Sequence, residues 1–517
     1  MNKNPKQSDK RLLWFLRVIV PLIPVIMVTI LVFTLYGKHP LDVTLYWNDE
    51  VINWHQVASF REHSFDIGYY TINEQPAPAA FTHFYVHGPW YPIFVGLASK
   101  LLGWRIYSGV ILNSVLITSA LYFFVFVMRL DRRQLLALAG VIASAYVITL
   151  YVTINMQETL QQSVSIILAM LFYIALKDQQ SLSVKKKVAF VLFLLLATIT
   201  RLSWGVLLLP YFLLVNRRSL RGVVLALVET GILSFVAIYV VYMTTPPGLH
   251  SVFDTAENIV LTPIETLSTI MTRTMTNASV YLDVGHKKPL DILQTFQALI
   301  FISMLFVTLF TTIFFRKLPK KLPQLARSVP VSSLGFHLYN LVSIHLASFG
   351  LYIIGTWGDY RVIATHLLVT MLIMILARSY RLLPIYVLGN LLFFLLYIST
   401  FASFTSQKYL VEHERLLSLE QQVVAVMSYN DTVENQWCNT ILIHVYFYND
   451  VVTTIPPGIG TTLFFTEESI ISPKSQYLWL RDDDPELLAR LETDLQLDFL
   501  LQMPQGKLYR NTKVNCP

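Results

Sequence analysis

The hydrophobic pattern of the chain is a series of long apolar blocks separated by shorter polar segments. Most blocks run for about 17–25 residues with almost no charge inside, the length that an α-helix needs to cross a hydrocarbon core of about 30 Å. They predict an all-α polytopic membrane domain with about eleven transmembrane helices. The blocks lie at about 18–36, 106–128, 134–153, 159–176, 188–215, 220–243, 292–315, 331–354, 362–377 and 382–400.

The block at 188–215 admits two interpretations. As one tilted span, it leaves the lysines at 185–187 and the arginines at 217–218 on opposite faces of the membrane. As two short helices that turn at 200–204, it keeps both clusters in the cytoplasm, as the positive-inside rule favours. The turn also places Arg201 near the outer face instead of at mid-membrane, where a guanidinium is costly. We therefore expect a helical hairpin here.

Basic residues also predict the orientation of the chain. The segment 1–17 carries five lysines and arginines, which places it in the cytoplasm. The first apolar block is too long for a signal-peptide core and lacks a small-residue cleavage site, so we expect a retained span. The other dense basic clusters then fall inside, except the one at 286–288, in a loop at 244–291 that we assign to the outside.

Two polar regions interrupt the apolar pattern. The first outer loop, 37–104, is too long for an ordinary connection and is therefore expected to be functional. From 405 to 517 the composition changes to that of a small α+β domain on the extracytoplasmic side. Strands are expected at 441–447 and 477–481, and a short helix at 485–494. The transmembrane domain is accordingly 18–404.

Composition supports a membrane protein and weighs against a nucleic-acid partner. Of 517 residues, 54% are hydrophobic and only 14% are charged, too few for a soluble surface; the mean hydropathy is +0.54. The net charge of +7 resides in short clusters between apolar blocks, the distribution typical of cytoplasmic loops rather than of a nucleic-acid face. The plasma (inner) membrane is the expected location.

The first candidate for chemistry is Trp47-Asn48-Asp49-Glu50, just beyond the first span. Two adjacent carboxylates beside a membrane surface can supply a general base with an electrostatic or metal-ligating partner. An ordinary solvated loop, in which acidic pairs are common, is the alternative. The pair permits a divalent metal, Mg²⁺ or Mn²⁺, and equally a metal-independent site.

Further motifs follow in an order that resembles a known family. A stretch at 87–92 (His-Gly-Pro-Trp-Tyr-Pro) leads into Lys100-Leu101-Leu102-Gly103, and Glu158 opens the fourth span. Arg201 lies in a Thr-Arg-Leu-Ser-Trp-Gly turn, and Asp359-Tyr360-Arg361 opens a later span. Over about 12–400 this arrangement resembles the C-type (GT-C) membrane glycosyltransferases, which include the protein mannosyltransferases and the lipid A aminoarabinose transferases. The tail matches no named domain.

The resemblance implies transfer of a sugar from a polyprenyl-phosphate donor to a lipid, glycan or protein acceptor outside the membrane. It implies that Asp49 activates or orients the acceptor hydroxyl, and that Glu50 and Glu158 hold acceptor, metal or sugar. Arg201 and Arg361 would neutralise the carrier phosphate. The motifs add His87 and Tyr360 as substrate-binding residues. Alternatively, the arginines only snorkel at helix ends.

A transporter or flippase for a lipid-linked or small polar substrate is the main alternative function. Transporters place ionisable residues near the midplane and show repeated halves. Here the acids and arginines cluster at the outer ends of spans, and no repeat is evident. A non-catalytic scaffold or receptor would leave the acidic first loop unexplained.

The two cysteines of the chain, Cys438 and Cys516, both lie in the tail. The tail is assigned to the side of the membrane where oxidising conditions preserve disulfides. We therefore expect the two residues to form a disulfide bond.

Overall fold

The computed structural model is mainly helical and carries a small sheet near the C-terminus. It describes residues 5–45, 47–65, 71–72, 74, 84, 88–178, 182–216, 219–244, 261–282, 297, 299–303, 305–306, 331–351, 360–406, 413–444, 449–464, 470, 472–483, 485–503 and 506–516. The predicted span 292–315 therefore lies largely outside the described residues.

The helices of this part of the chain lie close to the predicted blocks, except that the first helix begins well before residue 18. They are α1 (Pro5–Ile19), α2 (Ile23–Tyr36), α5 (Ser108–Val127), α6 (Arg132–Ser144), α7 (Tyr146–Val152), α8 (Glu158–Asp178), α9 (Val184–Thr200), α10 (Leu208–Val215), α11 (Leu220–Thr244), α13 (Val331–Leu351), α14 (Tyr360–Leu376) and α15 (Leu383–Ser406). The block at 134–153 is two helices, because Ala145 has a ψ of 74° and leaves the helical region.

Four helices in the described ranges are long and apolar enough to cross a membrane by themselves. They are Asp9–Tyr36, Ser108–Val127, Glu158–Lys177 and Leu220–Thr244. The first consists of α1 and α2, which the 3₁₀ helix Val20–Leu22 joins. Large apolar side chains such as Phe33, Leu225 and Phe235 are exposed, as expected of surfaces that face lipid tails. The chain is thus an integral membrane protein, and the total of about eleven spans stays a prediction.

The predicted hairpin is present between α9 and α10. A 3₁₀ helix, Leu202–Leu207, joins the two, and the chain reverses at Arg201. The hydroxyl of Tyr211, in α10, donates to the carbonyl of Lys187 at the start of α9 at 2.7 Å. The rings of Phe190 and Tyr211 lie 4.5 Å apart. The two helices therefore run antiparallel, and Arg201 lies at the turn.

The polar loops contain helices that the sequence pattern does not reveal. The first outer loop forms α3 (Asn48–His63) and α4 (Trp90–Leu102), and the loop at 244–291 contains α12 (Pro263–Leu282). Trp104 donates from its indole nitrogen to the carbonyl of Trp54 at 3.0 Å. The two indole rings stack at 6.4 Å. This contact joins α3 to the segment that leads into α5.

The tail contributes five strands to a six-stranded mixed sheet. The strands are β1 (Thr71–Ile72), β2 (Thr440–His444), β3 (Gly460–Phe464), β4 (Tyr477–Arg481), β5 (Leu497–Met503) and β6 (Gly506–Asn511). Their order in the sheet is β1-β3-β2-β4-β6-β5. The first four in this order are parallel to one another, whereas β6 is antiparallel to both of its neighbours, β4 and β5. The edge strand β1 comes from the first outer loop. The tail also contains three helices, α16 (His413–Val426), α17 (Asn449–Val452) and α18 (Pro485–Leu495). The two predicted strands and the predicted helix are present.

The tail is joined to the first outer loop by buried polar contacts as well as by β1. Glu74 is 7% exposed, and its carboxylate accepts hydrogen bonds from the backbone N–H groups of Lys474 and Ser475 at 2.7 and 2.8 Å. On α3, Ser59 accepts from the N–H of Gly458 at 3.0 Å. Gly458 has a φ of +91°, which a residue with a side chain rarely adopts. α3 is thereby held against the tail.

The predicted disulfide joins Cys438 and Cys516 across 78 residues of sequence. Cys438 precedes β2, and Cys516 follows β6. The bond closes the last segment of the chain onto the middle of the sheet.

Candidate functional site

The acidic pair lies in the first turn of α3. Asp49 is partly buried, whereas Glu50 is fully buried. The N–H groups that begin a helix have no partner within it, so negative side chains in the first turn are stabilised there. The Glu50 carboxylate accepts from the backbone N–H of Trp47 at 3.4 Å, which closes the start of the helix.

Glu50 also ties α3 to the loop that precedes α8. The backbone N–H of Asn155 donates to Glu50 Oε1 at 2.9 Å, and the Asn155 side-chain amide lies 3.5 Å from the same oxygen. Asn155 precedes Glu158 by three residues. Glu50 therefore sets the distance between the acidic pair and the second acidic position of the site.

The same loop is held from the opposite side by α5. Asn113 is fully buried and donates from Nδ2 to the carbonyl of Ile154 at 2.8 Å, with longer contacts to the carbonyls of Tyr151 and Val152. Tyr151 and Val152 end α7 and Ile154 follows it, so Asn113 binds carbonyls at the C-terminal end of that helix. Gly109 lies against Asn155 so closely that an added Cβ would fall 1.4 Å from its side-chain oxygen. Only glycine fits at that position.

Glu158, Arg201 and Arg361 form an ion cluster on three different elements. Glu158 is the first residue of α8 and its side chain is 3% exposed; it pairs with Arg201 of the hairpin turn. Arg361, in the first turn of α14, lies 3.8 Å from the same carboxylate oxygen and is 22% exposed. Two cations on one anion leave one positive charge. The N-termini of α8 and α14 add the positive ends of two helix dipoles.

Two polar atoms of this cluster have no hydrogen-bond partner in the part of the chain that the structure describes. They are Oε2 of Glu158 and Nη1 of Arg201, and both are buried. A buried charged atom without a partner is unfavourable, so the cluster has unused capacity to bind a polar group.

Tyr91 lies within electrostatic range of both Glu50 and Glu158. It is 1% exposed and is the second residue of α4. Burial raises the pKa of its hydroxyl well above the ordinary value, and the negative charges of Glu50 and Glu158 raise it further. The hydroxyl therefore remains protonated, and it is available as a neutral hydrogen-bond donor or acceptor.

A buried polar network adjoins the turn that carries Arg201, where the backbone N–H of Trp204 donates to the carbonyl of Arg201 at 3.0 Å. Trp204, three residues after Arg201, donates from its indole nitrogen to Gln161 at 2.7 Å. Its ring stacks on His366 with centroids 4.5 Å apart. His366 in turn lies 2.6 Å from the side-chain oxygen of Asn340. Polar residues within apolar helices are the feature of the sequence that could have indicated this network.

The residues named from the motifs occupy different positions with respect to this cluster. Glu50, Glu158, Arg201 and Arg361 are brought together, and Asp49 adjoins Glu50 on α3. His87 and Asp359 lie outside the described residues, and Tyr360 is described as the first residue of α14 without its side chain. Asn155, Asn113 and Tyr91 were not predicted. Their role depends on contacts between segments far apart in sequence.

The described part of the chain holds no group of three His, Cys, Asp or Glu side chains in metal-binding proximity. What the cluster offers directly is a carboxylate pair on α3 and two guanidinium groups facing a single carboxylate. Guanidinium groups suit phosphate oxygens, and a carboxylate in reach of a hydroxyl suits proton abstraction.

Comparison with known proteins gives one structural similarity. No family model and no curated protein matches the chain. Among solved structures, the fold is similar to that in "Crystal Structure of ArnT from Cupriavidus metallidurans in the apo state", with 11% identity and a TM-score of 0.39. The alignment covers 95% of this chain and 99% of that chain.

Proposed function

We propose that the chain is a membrane glycosyltransferase that moves a sugar from a polyprenyl-phosphate donor to a hydroxyl acceptor. The observation that carries the proposal is the ion cluster. Arg201 and Arg361 share one carboxylate, Glu158, and the acidic pair of α3 is tied to the same loop through Asn155. The excess positive charge suits a departing phosphate. The carboxylate pair beside it suits an attacking hydroxyl, whose proton it can accept.

The proposed reaction is a displacement at the anomeric carbon of the donor sugar. The acceptor hydroxyl oxygen forms a bond to C1 while the bond from C1 to the phosphate oxygen breaks. Polyprenyl phosphate leaves with that electron pair, and the acceptor proton passes to Asp49. Arg201 and Arg361 stabilise the charge on the phosphate. Glu50 is a positioning residue, because its carboxylate fixes the 153–157 loop with respect to α3.

The membrane location of the site suits a lipid-linked donor. Glu158, Arg201 and Arg361 lie at the ends of apolar helices, where the phosphate of a membrane lipid would be. Helix N-termini favour the binding of phosphate, and α8 and α14 both begin at the cluster. With the N-terminus cytoplasmic, as the basic clusters predict, this end faces outward across the plasma (inner) membrane. The roles of His87 and Tyr360 in substrate binding belong to the same proposal.

A flippase or transporter is the competing function, and one assay separates the two. The purified protein is placed in proteoliposomes with polyprenyl-phosphate sugars labelled in the sugar, and lipid, glycan and peptide acceptors are offered in turn. The proposal predicts covalent transfer of the label, with release of polyprenyl phosphate. Movement of intact donor between leaflets without transfer would favour the flippase. Repeating the assay after chelation of divalent metal ions measures any metal requirement.

A further inference from the structure

Beyond the acidic pair, α3 carries two buried carboxamide side chains. Asn53 and Gln56 are 1% and 0% exposed. Neither the oxygen nor the nitrogen of either side chain has a hydrogen-bond partner in the described part of the chain. A buried polar group without a partner is unfavourable, so four such atoms on adjacent turns require an explanation.

The two carboxamides share a face with Asp49. Residues at 49, 53, 56 and 60 follow one another at spacings of three or four and so lie on one side of the helix. Phe60 packs against α4, since a Cβ on Gly96 would lie 2.6 Å from its ring. The stripe therefore extends from the acidic pair along the side of α3 that adjoins α4.

α4 contributes a third polar group to this region. The hydroxyl of Tyr91 is buried and has no hydrogen-bond partner in the ranges that the structure describes. The Tyr91 hydroxyl lies near enough to Glu50 and Glu158 for both negative charges to raise its pKa. Asn53, Gln56 and Tyr91 thus place two amides and a hydroxyl beside the acidic pair, with both donor and acceptor capacity.

We propose that Asn53, Gln56 and Tyr91 form a subsite that hydrogen-bonds the hydroxyl groups of a sugar ring next to Asp49. A sugar hydroxyl both donates and accepts, as does a carboxamide, so one ring can satisfy several of these atoms together. Neutral polar groups also suit a ring that carries no charge. This inference rests on the proposed glycosyltransferase function and names the part of the substrate that α3 recognises.

The test replaces each carboxamide with an apolar side chain of similar shape, Asn53→Leu and Gln56→Met. The matched control is Gln422→Met, on the exposed side of α16. The readouts are the thermal midpoint of the purified full-length protein and its binding of polyprenyl-phosphate mannose, glucose and arabinose. Transfer of each sugar and the KM for the acceptor are measured in parallel.

The subsite predicts thermal midpoints equal to or above that of the wild type, because the substitutions remove polar atoms that lack partners. It also predicts about tenfold weaker sugar recognition for each variant, the loss typical of one neutral hydrogen bond. Weaker donor binding assigns the ring to the donor, whereas a raised acceptor KM with unchanged donor binding assigns it to the acceptor. A donor that lacks one ring hydroxyl should bind the wild type more weakly than the complete donor does. The variant that lacks the side chain bound to that hydroxyl should bind both donors equally.

Unchanged donor binding and unchanged acceptor KM in both variants would overturn the subsite. So would a marked fall of the thermal midpoint without a change in recognition, which would assign the amides a structural role. Failure of the wild type to bind any of the three donors, together with an unchanged acceptor KM in both variants, would overturn it too. Binding without transfer would leave the subsite in place and contradict only the glycosyltransferase function.

Discussion

At the scale of single residues, the site depends on a buried charge that is costly without its partners. Glu158 and Arg201 have side chains that are 3% and 9% exposed. Removing such charges from water costs several kcal/mol per ion, and replacing a buried pair by apolar residues is often neutral for stability. The presence of the pair is therefore better explained by the chemistry of the site than by folding. Substitutions can separate these two contributions.

Glu158→Gln should destabilise the protein and abolish transfer, because it leaves the buried Arg201 without its main counter-ion. Loss of one partner of a buried pair typically costs about 3–5 kcal/mol. The double variant Glu158→Gln with Arg201→Gln should recover much of the stability and none of the activity. Thermal unfolding and sugar transfer measure the two effects. Glu62→Gln, which breaks the exposed pair with Arg61, is the control and should change stability by less than about 1 kcal/mol.

Gly109→Ala should lower both stability and transfer. Its Cβ would meet the side-chain oxygen of Asn155 at 1.4 Å, so Asn155 must move away from Glu50. Overpacking of this kind typically costs about 1–3 kcal/mol. Gly231→Ala is the matched control, since nothing lies within 4 Å of its Cβ and alanine favours a helix. Equal thermal midpoints and equal transfer rates for the two variants would contradict the close approach of α5 to the site.

At the scale of elements, α3 links the site to the tail. One face carries Asp49, and another carries His55 and Ser59, which bond to the tail at Pro456 and Gly458. Every residue from 51 to 60 is buried. A helix surrounded on all sides shows no amphipathic period. This is why the sequence pattern predicts a polar loop at this position.

His55 makes the docking of the tail dependent on pH. Burial lowers the pKa of His55 to about 4, while hydrogen bonds to backbone carbonyls, including that of Pro456, partly oppose the shift. Above about pH 6.5 the ring is neutral in both the folded and the unfolded state, so this group makes no pH-dependent difference to stability. As the pH falls from 6.5 toward 4, the unfolded state binds a proton that the folded state does not, and stability decreases.

His55→Gln keeps a donor for the Pro456 carbonyl and removes the titration. Thermal midpoints measured from pH 7.5 to 4.5 should fall less steeply for this variant than for the wild type. His63→Gln, on the same helix and partly exposed, should keep the wild-type slope. Identical slopes for His55→Gln and the wild type would contradict the neutral, buried state of the ring.

Much of the fold could be predicted from sequence, and the site only in part. Strand β4 coincides with the predicted 477–481, because aromatic and apolar residues between polar ones specify a strand. The hairpin that turns at Arg201 could be predicted because it places the basic clusters at 185–187 and 217–218 on the same side of the membrane. The bond between Glu50 and Asn155 spans 105 residues, and no local pattern encodes such a contact. The same holds for Tyr91, whose role depends on how α4 packs against α3.

At the scale of the whole molecule, the first outer loop connects the tail to the membrane domain. Strand β1 pairs with β3 of the tail, and α3 contacts the tail through Ser59 and the loop before α8 through Glu50. The predicted orientation places this assembly outside the cytoplasm, where the disulfide between Cys438 and Cys516 would persist. A loop of this length gives a chain-entropy stabilisation of about 4 kcal/mol. The disulfide also provides a direct measurement of topology.

After mild reduction of intact cells or right-side-out vesicles, a membrane-impermeant maleimide should label Cys438 or Cys516. Without reduction, labelling should be absent, because the described chain contains no free cysteine. The double variant Cys438→Ser with Cys516→Ser is the control for background. Labelling that requires permeabilisation of the membrane would place the tail in the cytoplasm and contradict the orientation.

In the proposed reaction Asp49 accepts the proton of the acceptor hydroxyl, and Asp49→Asn removes that capacity. The substitution keeps the shape of the side chain and removes its charge, and general-base catalysis typically contributes 10²–10⁴-fold to the rate. The control is Asp42→Asn, whose carboxylate accepts from the N–H of His39 at 2.7 Å in an exposed turn, a bond that an amide oxygen can keep. In proteoliposomes with a labelled polyprenyl-phosphate sugar, Asp49→Asn should lose at least about 100-fold in transfer rate while keeping the wild-type thermal midpoint, and Asp42→Asn should transfer normally. Near-normal transfer by Asp49→Asn would contradict the account.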